Sequence, residues 1–240
     1  MSKKAIILAG GRGTRLYPYT VAIPKPLVPV ADTPILEIII RQLADAEFTE
    51  VVLAVNHQAD LIRAYFGDGK KYGLRITYSL ETKPLSTIAP LKLVPDLPDD
   101  FLVMNGDVLT DLDYSHFFDW HKKKKNDFSI SAFNTFDTSE YGVLQMSNEG
   151  RLLSFTEKPR SQICVSMGIY SVNREILSLV PEDQAFGFDD LMRVGLERDA
   201  KIAGRLHDGY WRDLGTPEQY QQANSEIVTT ALARFLCDSA

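Results

Sequence analysis

The feature that most limits what this chain can fold into is an alternation. The short β-rich runs "KAIILA", "EVVLAVN", "RITYSLE" and "FLVMNGD" are separated by segments of helical periodicity, "PILEIIIRQLADAE" and "ADLIRAYFGDG". A further helix, "YSHFFDWHKKKK", leads into a fifth strand, "FSISAFN". Strands that alternate with amphipathic helices predict an α/β fold with a mixed, mainly parallel sheet flanked by helices. Right-handed crossovers then gather the loops after Leu8, Asn56, Glu81 and Asn105 at one edge of the sheet. Ligands bind at the carboxyl ends of strands in such sheets.

From about residue 139 the texture changes. "YGVLQMSNEGRLLSFTEKP", "VSMGIYSVNREIL" and "IAGRLHDGYWRDLGTP" read as hairpin strands with short helices between them. No Ser/Gly/Pro-rich linker separates the halves, so residues 1–240 are expected to form one domain. Within it, residues 1–138 form one half, 139–224 the second, and 217–236 a C-terminal helix.

Charge and composition exclude several classes. The net charge of −6 argues against a broad nucleic-acid surface, although a few local cations suffice for a phosphate. The dense basic run Lys122–Lys125 suits the end of a helix, where cations complement the dipole. No stretch approaches the ~18 apolar residues of a membrane span, and the apolar run after the start is too short for a signal peptide. Two cysteines, Cys164 and Cys237, give no disulfide framework, so a reduced, cytoplasmic protein is expected. His57, His116, His121 and His207 are scattered without metal-ligand spacing, which argues against zinc. Self-association is left open.

Four short stretches carry chemistry. In "AGGRGTRLYPYT", Gly10, Gly11 and Gly13 let backbone N–H groups come close to phosphate oxygens. Arg15 adds a planar cation and Lys25, held between Pro24 and Pro26, a compact one. The alternative is a tight turn with two surface cations. The spacing fits neither a P-loop nor a dinucleotide fingerprint. In "MNGDVLTDLD", Asp107 ends an apolar strand and can reach a metal held between phosphates, with Asp111 and Asp113 as competing candidates. Glu157 and Lys158 of "SFTEKP" read either as a surface ion pair or as a phosphate-binding lysine beside a hydroxyl-binding glutamate. Asp213 of "GYWRDLGTP" is a second acid or an ordinary turn aspartate.

Their order along the chain is more specific than any one of them. The stretch "ILAGGRGTRLYPYTVAIPKPLVPVADTPILEIII" follows the pattern GGxGTRLxPxTxxxPKPL without a break, and "NGDVL", "YGV", "EKP", "MGIY" and "WRDLGTP" follow in order. The chain resembles the sugar-1-phosphate nucleotidyltransferases from Lys4 to about Asn224. The resemblance implies a Rossmann-like sheet and a reaction of a nucleoside triphosphate with a sugar 1-phosphate. It implies that Leu8, Ala9, Gly10, Gly11, Gly13, Thr14, Arg15, Glu81, Ser86, Thr87, Asn105 and Gly106 bind the nucleotide. Arg15, Lys25, Asp107 and Lys158 would be the catalytic group. Gly142, Glu157, Lys158 and Ser166 would bind the sugar phosphate, and Asp107 and Asp213 would ligate Mg²⁺. Neither nucleic acid nor membrane is an expected partner.

One stretch departs from the resemblance. Where such chains carry a PLGTAGAL-like sequence, this one has "PLSTIAPL", with Ser86 and Ala89 in place of glycines. Added Cβ atoms are expected to narrow the base pocket and restrict the backbone there. Transfer to a non-sugar phosphate or phosphonate is the alternative chemistry. A non-catalytic, NDP-sugar-sensing homologue is the alternative class.

Overall fold

The computed structural model describes residues 3–11, 13–56, 58–81 and 83–237. His57 therefore lies outside the described residues. In chain order the strands are β1 (Lys4–Leu8), β2 (Pro29–Val30), β3 (Thr33–Pro34), β4 (Glu50–Val55), β5 (Arg75–Leu80), β6 (Asp100–Asn105) and β7 (Val108–Thr110). They continue with β8 (Phe128–Thr138), β9 (Val143–Met146), β10 (Leu152–Thr156), β11 (Arg160–Asn173), β12 (Ile202–His207) and β13 (Trp211–Asp213). The α-helices are α1 (Ile35–Asp45), α2 (Ala59–Phe66), α3 (Tyr114–Lys124), α4 (Phe188–Glu197) and α5 (Pro217–Glu226).

Among the described residues, seven strands form one sheet in the order β12-β8-β11-β6-β1-β4-β5. The neighbours of β1 are both parallel to it: Leu8 pairs with Ala54 of β4 on one side and with Asn105 of β6 on the other. β4 with β5 and β8 with β12 are also parallel, while β11 runs antiparallel to β6 and to β8. This is the mixed, mainly parallel α/β sheet expected from the alternation.

Side-chain direction along the strands divides the core into two layers. Ala5, Ile7, Val51, Leu53, Leu102 and Met104 face one cluster, which holds the apolar sides of α1, α2, α3 and α5. Ile6, Val52, Ala54, Phe101 and Val103 face the other, built from Ile88, Ala89 and Leu91, residues 176–180 and Leu191 of α4. Apolar residues on both faces are what a strand covered by helices on each side requires.

Local chemistry sets the helix ends. Asp113 caps α3 by accepting the His116 N–H at 2.8 Å, and Lys122–Lys124 fill its last turn, as the basic run predicted. Thr216 and Gln219 form a capping box at α5, with Pro217 in its first position. The C-terminal helix expected over 217–236 is shorter in the structure. α5 stops at Glu226, and two 3₁₀ turns, Ile227–Thr229 and Ala231–Phe235, complete the segment. The run Ile227-Val228-Thr229-Thr230 is β-branched throughout, which penalises continued helix. Thr230 starts the next turn by accepting the Leu232 N–H.

His121 is fully buried on α3 between Ser129 Oγ (2.8 Å) and Asp100 Oδ1 (3.3 Å). Burial holds its pKa below the ordinary histidine range, against the opposing pull of Asp100. A neutral ring that donates to Asp100 and accepts from Ser129 satisfies both contacts. The unfolded chain protonates this ring near the usual value of about 6.5, and the folded chain only at lower pH. Between those limits unfolding takes up a proton, so stability rises with pH through the window and is lost as pH falls through it. His121→Gln, which does not titrate, should flatten the dependence of the melting temperature on pH over this window. Thermal melts of both proteins at a series of pH values measure it.

Candidate functional site: a strand-end cleft with a buried lysine

The carboxyl ends of β1, β4, β5 and β6 open on a cavity of about 400 Å³. Leu8, Ala9, Gly10 and Gly11 line it from β1, Ala54 and Asn56 from β4, Glu81 from β5, and Asn105, Gly106 and Asp107 from β6. Pro84, Ser86, Thr87 and Pro90 close one side, and Lys25 and Pro26 another. The parallel register accounts for the convergence. Ala9 N–H donates to Ala54 O (2.8 Å), and Gly106 N–H to Leu8 O (3.0 Å), so the three strand ends are tied just where they leave the sheet.

Lys25 sits at the start of a 3₁₀ turn (Lys25–Leu27) that follows Pro24. Only 9% of its side chain is exposed. Its ammonium is hydrogen-bonded to Asp107 Oδ2. Gly13 makes this placement feasible. Its φ is +64°, and a Cβ there would come within 2.9 Å of Thr20 Cγ2 and 3.0 Å of Lys25 Cβ. The loop is further held by the Thr20 hydroxyl, which donates to Gly13 O at 2.9 Å. Thr14 and Arg15 follow on an exposed 3₁₀ turn anchored by the buried Leu16.

Asp213 is brought in by the β7–β13 ribbon. It pairs with Val108, and the following Leu214 N–H donates to Asp107 O at 3.0 Å. Burial, and then the nearby Asp107 carboxylate, push the Asp213 carboxyl above the ordinary range, while Lys25 and Arg15 pull it down. Arg15, Lys25 and Asp107 thus all act electrostatically on Asp213. Asp111 and Asp113, the competing acids, have structural tasks. Asp113 caps α3, and Asp111 Oδ1 accepts from Tyr210 N–H (2.7 Å) and contacts His207 Nε2 (2.8 Å).

The divergent loop splits in two. Ser86 lines the cavity at φ +67°, a left-handed conformation that glycine adopts without strain. Ala89 is buried in the core and starts the 3₁₀ turn Ala89–Leu93, so its methyl group does not narrow the pocket. The loop is laced to the second half of the chain. Ile88 and Ala89 N–H both donate to Phe186 O (3.0 and 3.1 Å), and Phe188 N–H donates to Thr87 Oγ1 (3.1 Å).

The residues expected to bind a sugar phosphate lie apart from the cavity wall. Gly142 and Glu157 are neighbours at the break between β8–β11 and β9–β10 pairing: a Cβ on Gly142 would be 3.0 Å from Glu157 Oε2. Glu157 and Lys158 are exposed. Ser166 Oγ donates to Tyr170 Oη at 3.0 Å and accepts the Gly168 N–H at 3.2 Å. Sequence reasoning placed the loop after Asn56 at this edge but did not assign Asn56, Pro84 or Pro90 to the site. An asparagine directly after the run "EVVLAV" was the available signal for the first.

Among the described residues no cluster of three or more His, Cys, Asp or Glu could hold a metal ion with protein ligands alone. Asp107 and Asp213 nevertheless fit a hard divalent cation that takes its remaining ligands from phosphate and water. Two mutually repelling carboxylates of this kind are relieved by such an ion.

Comparison with known proteins bears on the family and the fold. Residues 4–230 match the model of the family described as nucleotidyl transferase. The mannose-1-phosphate guanylyltransferase of Mycobacterium tuberculosis is 32% identical over 232 residues, 93% of this chain and 64% of that protein. The mannose-1-phosphate guanyltransferase of Saccharomyces cerevisiae is 32% identical over 226 residues, 90% of this chain and 62% of that protein. The chain thus spans a little under two thirds of the length of these curated relatives. The crystal structure of HddC from Yersinia pseudotuberculosis, complexed with GMP-PN, superposes with a TM-score of 0.72 at 25% identity, covering 94% of this chain and 99% of that one. With the family match running from β1 through α5, this chain belongs to the nucleotidyl transferase family.

Proposed function

We propose that the protein transfers a nucleotidyl group from a nucleoside triphosphate to a sugar 1-phosphate, with GTP the nucleotide and a hexose phosphate such as mannose 1-phosphate the acceptor. The observation that carries the reading is the cluster of Lys25, Asp107 and Asp213 beside a cavity of nucleotide dimensions that the ends of β1, β4, β5 and β6 line. The guanylyltransferase relatives and the GMP-PN complex support guanine. Glu81 on the cavity wall supports it chemically, because a carboxylate complements the N–H edge of guanine.

An oxygen of the sugar 1-phosphate attacks the α-phosphorus, the bond from that phosphorus to the β-bridging oxygen breaks, and pyrophosphate leaves with the electron pair. A phosphate monoester is largely doubly ionised at neutral pH, so the nucleophile needs no general base. Catalysis then rests on positioning and charge. The backbone of Gly10 and Gly11 receives the phosphates, and Arg15 and Lys25 neutralise the departing pyrophosphate. Lys158 guides the acceptor phosphate and Glu157 accepts from sugar hydroxyls. Asp107 and Asp213 would hold Mg²⁺, which when bound supplies charge neutralisation to the phosphate oxygens.

A matrix of nucleoside triphosphates against sugar 1-phosphates, read as pyrophosphate release, tests the proposal. The expected outcome is the highest kcat/KM with GTP and mannose 1-phosphate. Absence of pyrophosphate with every pair would overturn it.

Two variants separate the roles. Asp107→Asn keeps an oxygen that can accept from Lys25, so the fold should survive. kcat/KM should fall at least ~10²-fold, about 2.7 kcal/mol of transition-state stabilisation. Lys25→Ala should lower kcat and kcat/KM together, because the ammonium matters most as pyrophosphate departs. A rise in nucleotide KM with kcat intact would assign Lys25 to ground-state binding instead.

A further inference from the structure

Arg15 and Lys25 lie on the long connection from β1 to α1, which ends in the β2–β3 hairpin. Its outer stretch is open to solvent, with Tyr17 70% and Val21 64% exposed. A segment with so few buried contacts of its own gains order from neighbouring elements. Here α5 is such a neighbour. Ala223 of α5 and Ile227 just after it are fully buried in the core, so the helix is a fixed support.

Tyr220 of α5 reaches the connection on both sides of Lys25. Its ring centroid lies 4.6 Å from that of Tyr19, which precedes the lysine. Its hydroxyl donates to Pro29 O at 2.6 Å, which follows it. That carbonyl needs an outside donor. Ile35 N–H donates to Val28 O at 3.1 Å, so Pro29 and Pro34 are a non-hydrogen-bonded pair and Pro29 O faces away from the partner strand. Among the described residues the hairpin has no third strand to supply an N–H. One turn further along the same helix face, Asn224 Oδ1 accepts the Ala31 N–H at 2.5 Å. The contacts close a ring. Lys25 bonds to Asp107, and Asp107 O accepts the Leu214 N–H just before the Thr216 cap of α5. The helix returns through Tyr220 to Pro29, and Val28 N–H donates to Lys25 O at 3.1 Å.

We propose that Tyr220 is a positioning residue for nucleotidyl transfer. It holds the connection before and after Lys25, and so fixes the ammonium relative to Asp107 and Asp213 before a triphosphate binds. It acts through Lys25 and rests on the transferase reading above. Charge that is already in place costs no reorganisation when pyrophosphate departs. Loss of the clamp therefore shows in the rate of transfer and not in ground-state binding.

Two conservative variants separate the two contacts. Tyr220→Phe keeps the ring and removes the donor. Tyr19→Leu removes the ring contact from the solvent side, where the fold is not at stake. Each should lower kcat at least ~5-fold, with KM for both substrates within ~2-fold of wild type. The background decides between positioning and general stability. With Lys25→Ala already in place, Tyr220→Phe should change kcat less than ~2-fold, because the group it positions is gone. An equal loss in both backgrounds, or wild-type kcat in Tyr220→Phe, overturns the proposal. Hydrogen exchange of the free protein reads the clamp without catalysis. The amides of Tyr19, Leu27 and Val28, each bonded within the connection, should exchange at least ~10-fold faster in Tyr220→Phe, while those of β1 and β6 keep wild-type rates. Unchanged exchange at these three amides contradicts the clamp. Absence of pyrophosphate from the wild type with every substrate pair would remove the transferase reading and the catalytic part with it, and exchange would still decide whether Tyr220 holds the loop.

Discussion

An ammonium group taken out of water has to meet a counter-charge, and in this protein Lys25 meets Asp107. That single pair ties together parts of the chain that are remote in sequence. Lys25 lies on the loop leaving β1, and Asp107 on the turn after β6. Through its carbonyl, Asp107 also holds Leu214 and therefore the β13 ribbon that carries Asp213. Gly13 is constrained by the same contact, since any side chain there would press on Lys25 and Thr20. The glycine loop, the lysine and the two aspartates form one unit whose geometry is set before any ligand arrives.

Much of this was legible in the sequence because it depends on periodicity and on strand ends. The apolar runs before "AGGRGTRL" and before "NGD" are continuous, which marks strands covered on both faces. Once the sheet is parallel, Leu8, Asn56, Glu81 and Asn105 must come together, and all four line the cavity. The pattern alone could not rank Asp107 against Asp111 and Asp113, since all three follow one strand. Their hydrogen bonds separate them: Asp113 is spent on a helix cap, and Asp111 holds Tyr210 and contacts His207.

What the sequence did not disclose lies in turns and in burial. Ser86 and Ala89 look alike as replacements for glycine, but only Ser86 has a positive φ and only Ser86 lines the cavity. That distinction is set by Phe186, whose carbonyl takes the N–H groups of Ile88 and Ala89 from nearly a hundred residues away. The early end of α5 has a local cause in the β-branched run after Glu226, which a reading based on apolar spacing passes over. The alternation in "YGVLQM" and "LLSFT" predicts a hairpin correctly, yet alternation alone does not tell a face packed on the core from one left open.

The two halves of the candidate site therefore differ in kind. Around Lys25 the contacts are already made: the lysine is buried against Asp107, the Asp107 carbonyl takes the Leu214 N–H beside Asp213, and the Thr20 hydroxyl holds Gly13 O. The half proposed to take the acceptor, Gly142, Glu157 and Lys158, stands exposed at a break in a two-stranded ribbon. For the proposed transfer between two anionic substrates this division has a physical logic. Charge stabilisation is strongest where water is excluded and the dipoles are already fixed, so the reacting phosphates belong in the rigid half. In the proposed reaction the acceptor's hydroxyls would meet side chains whose position depends on a ribbon exposed along its length.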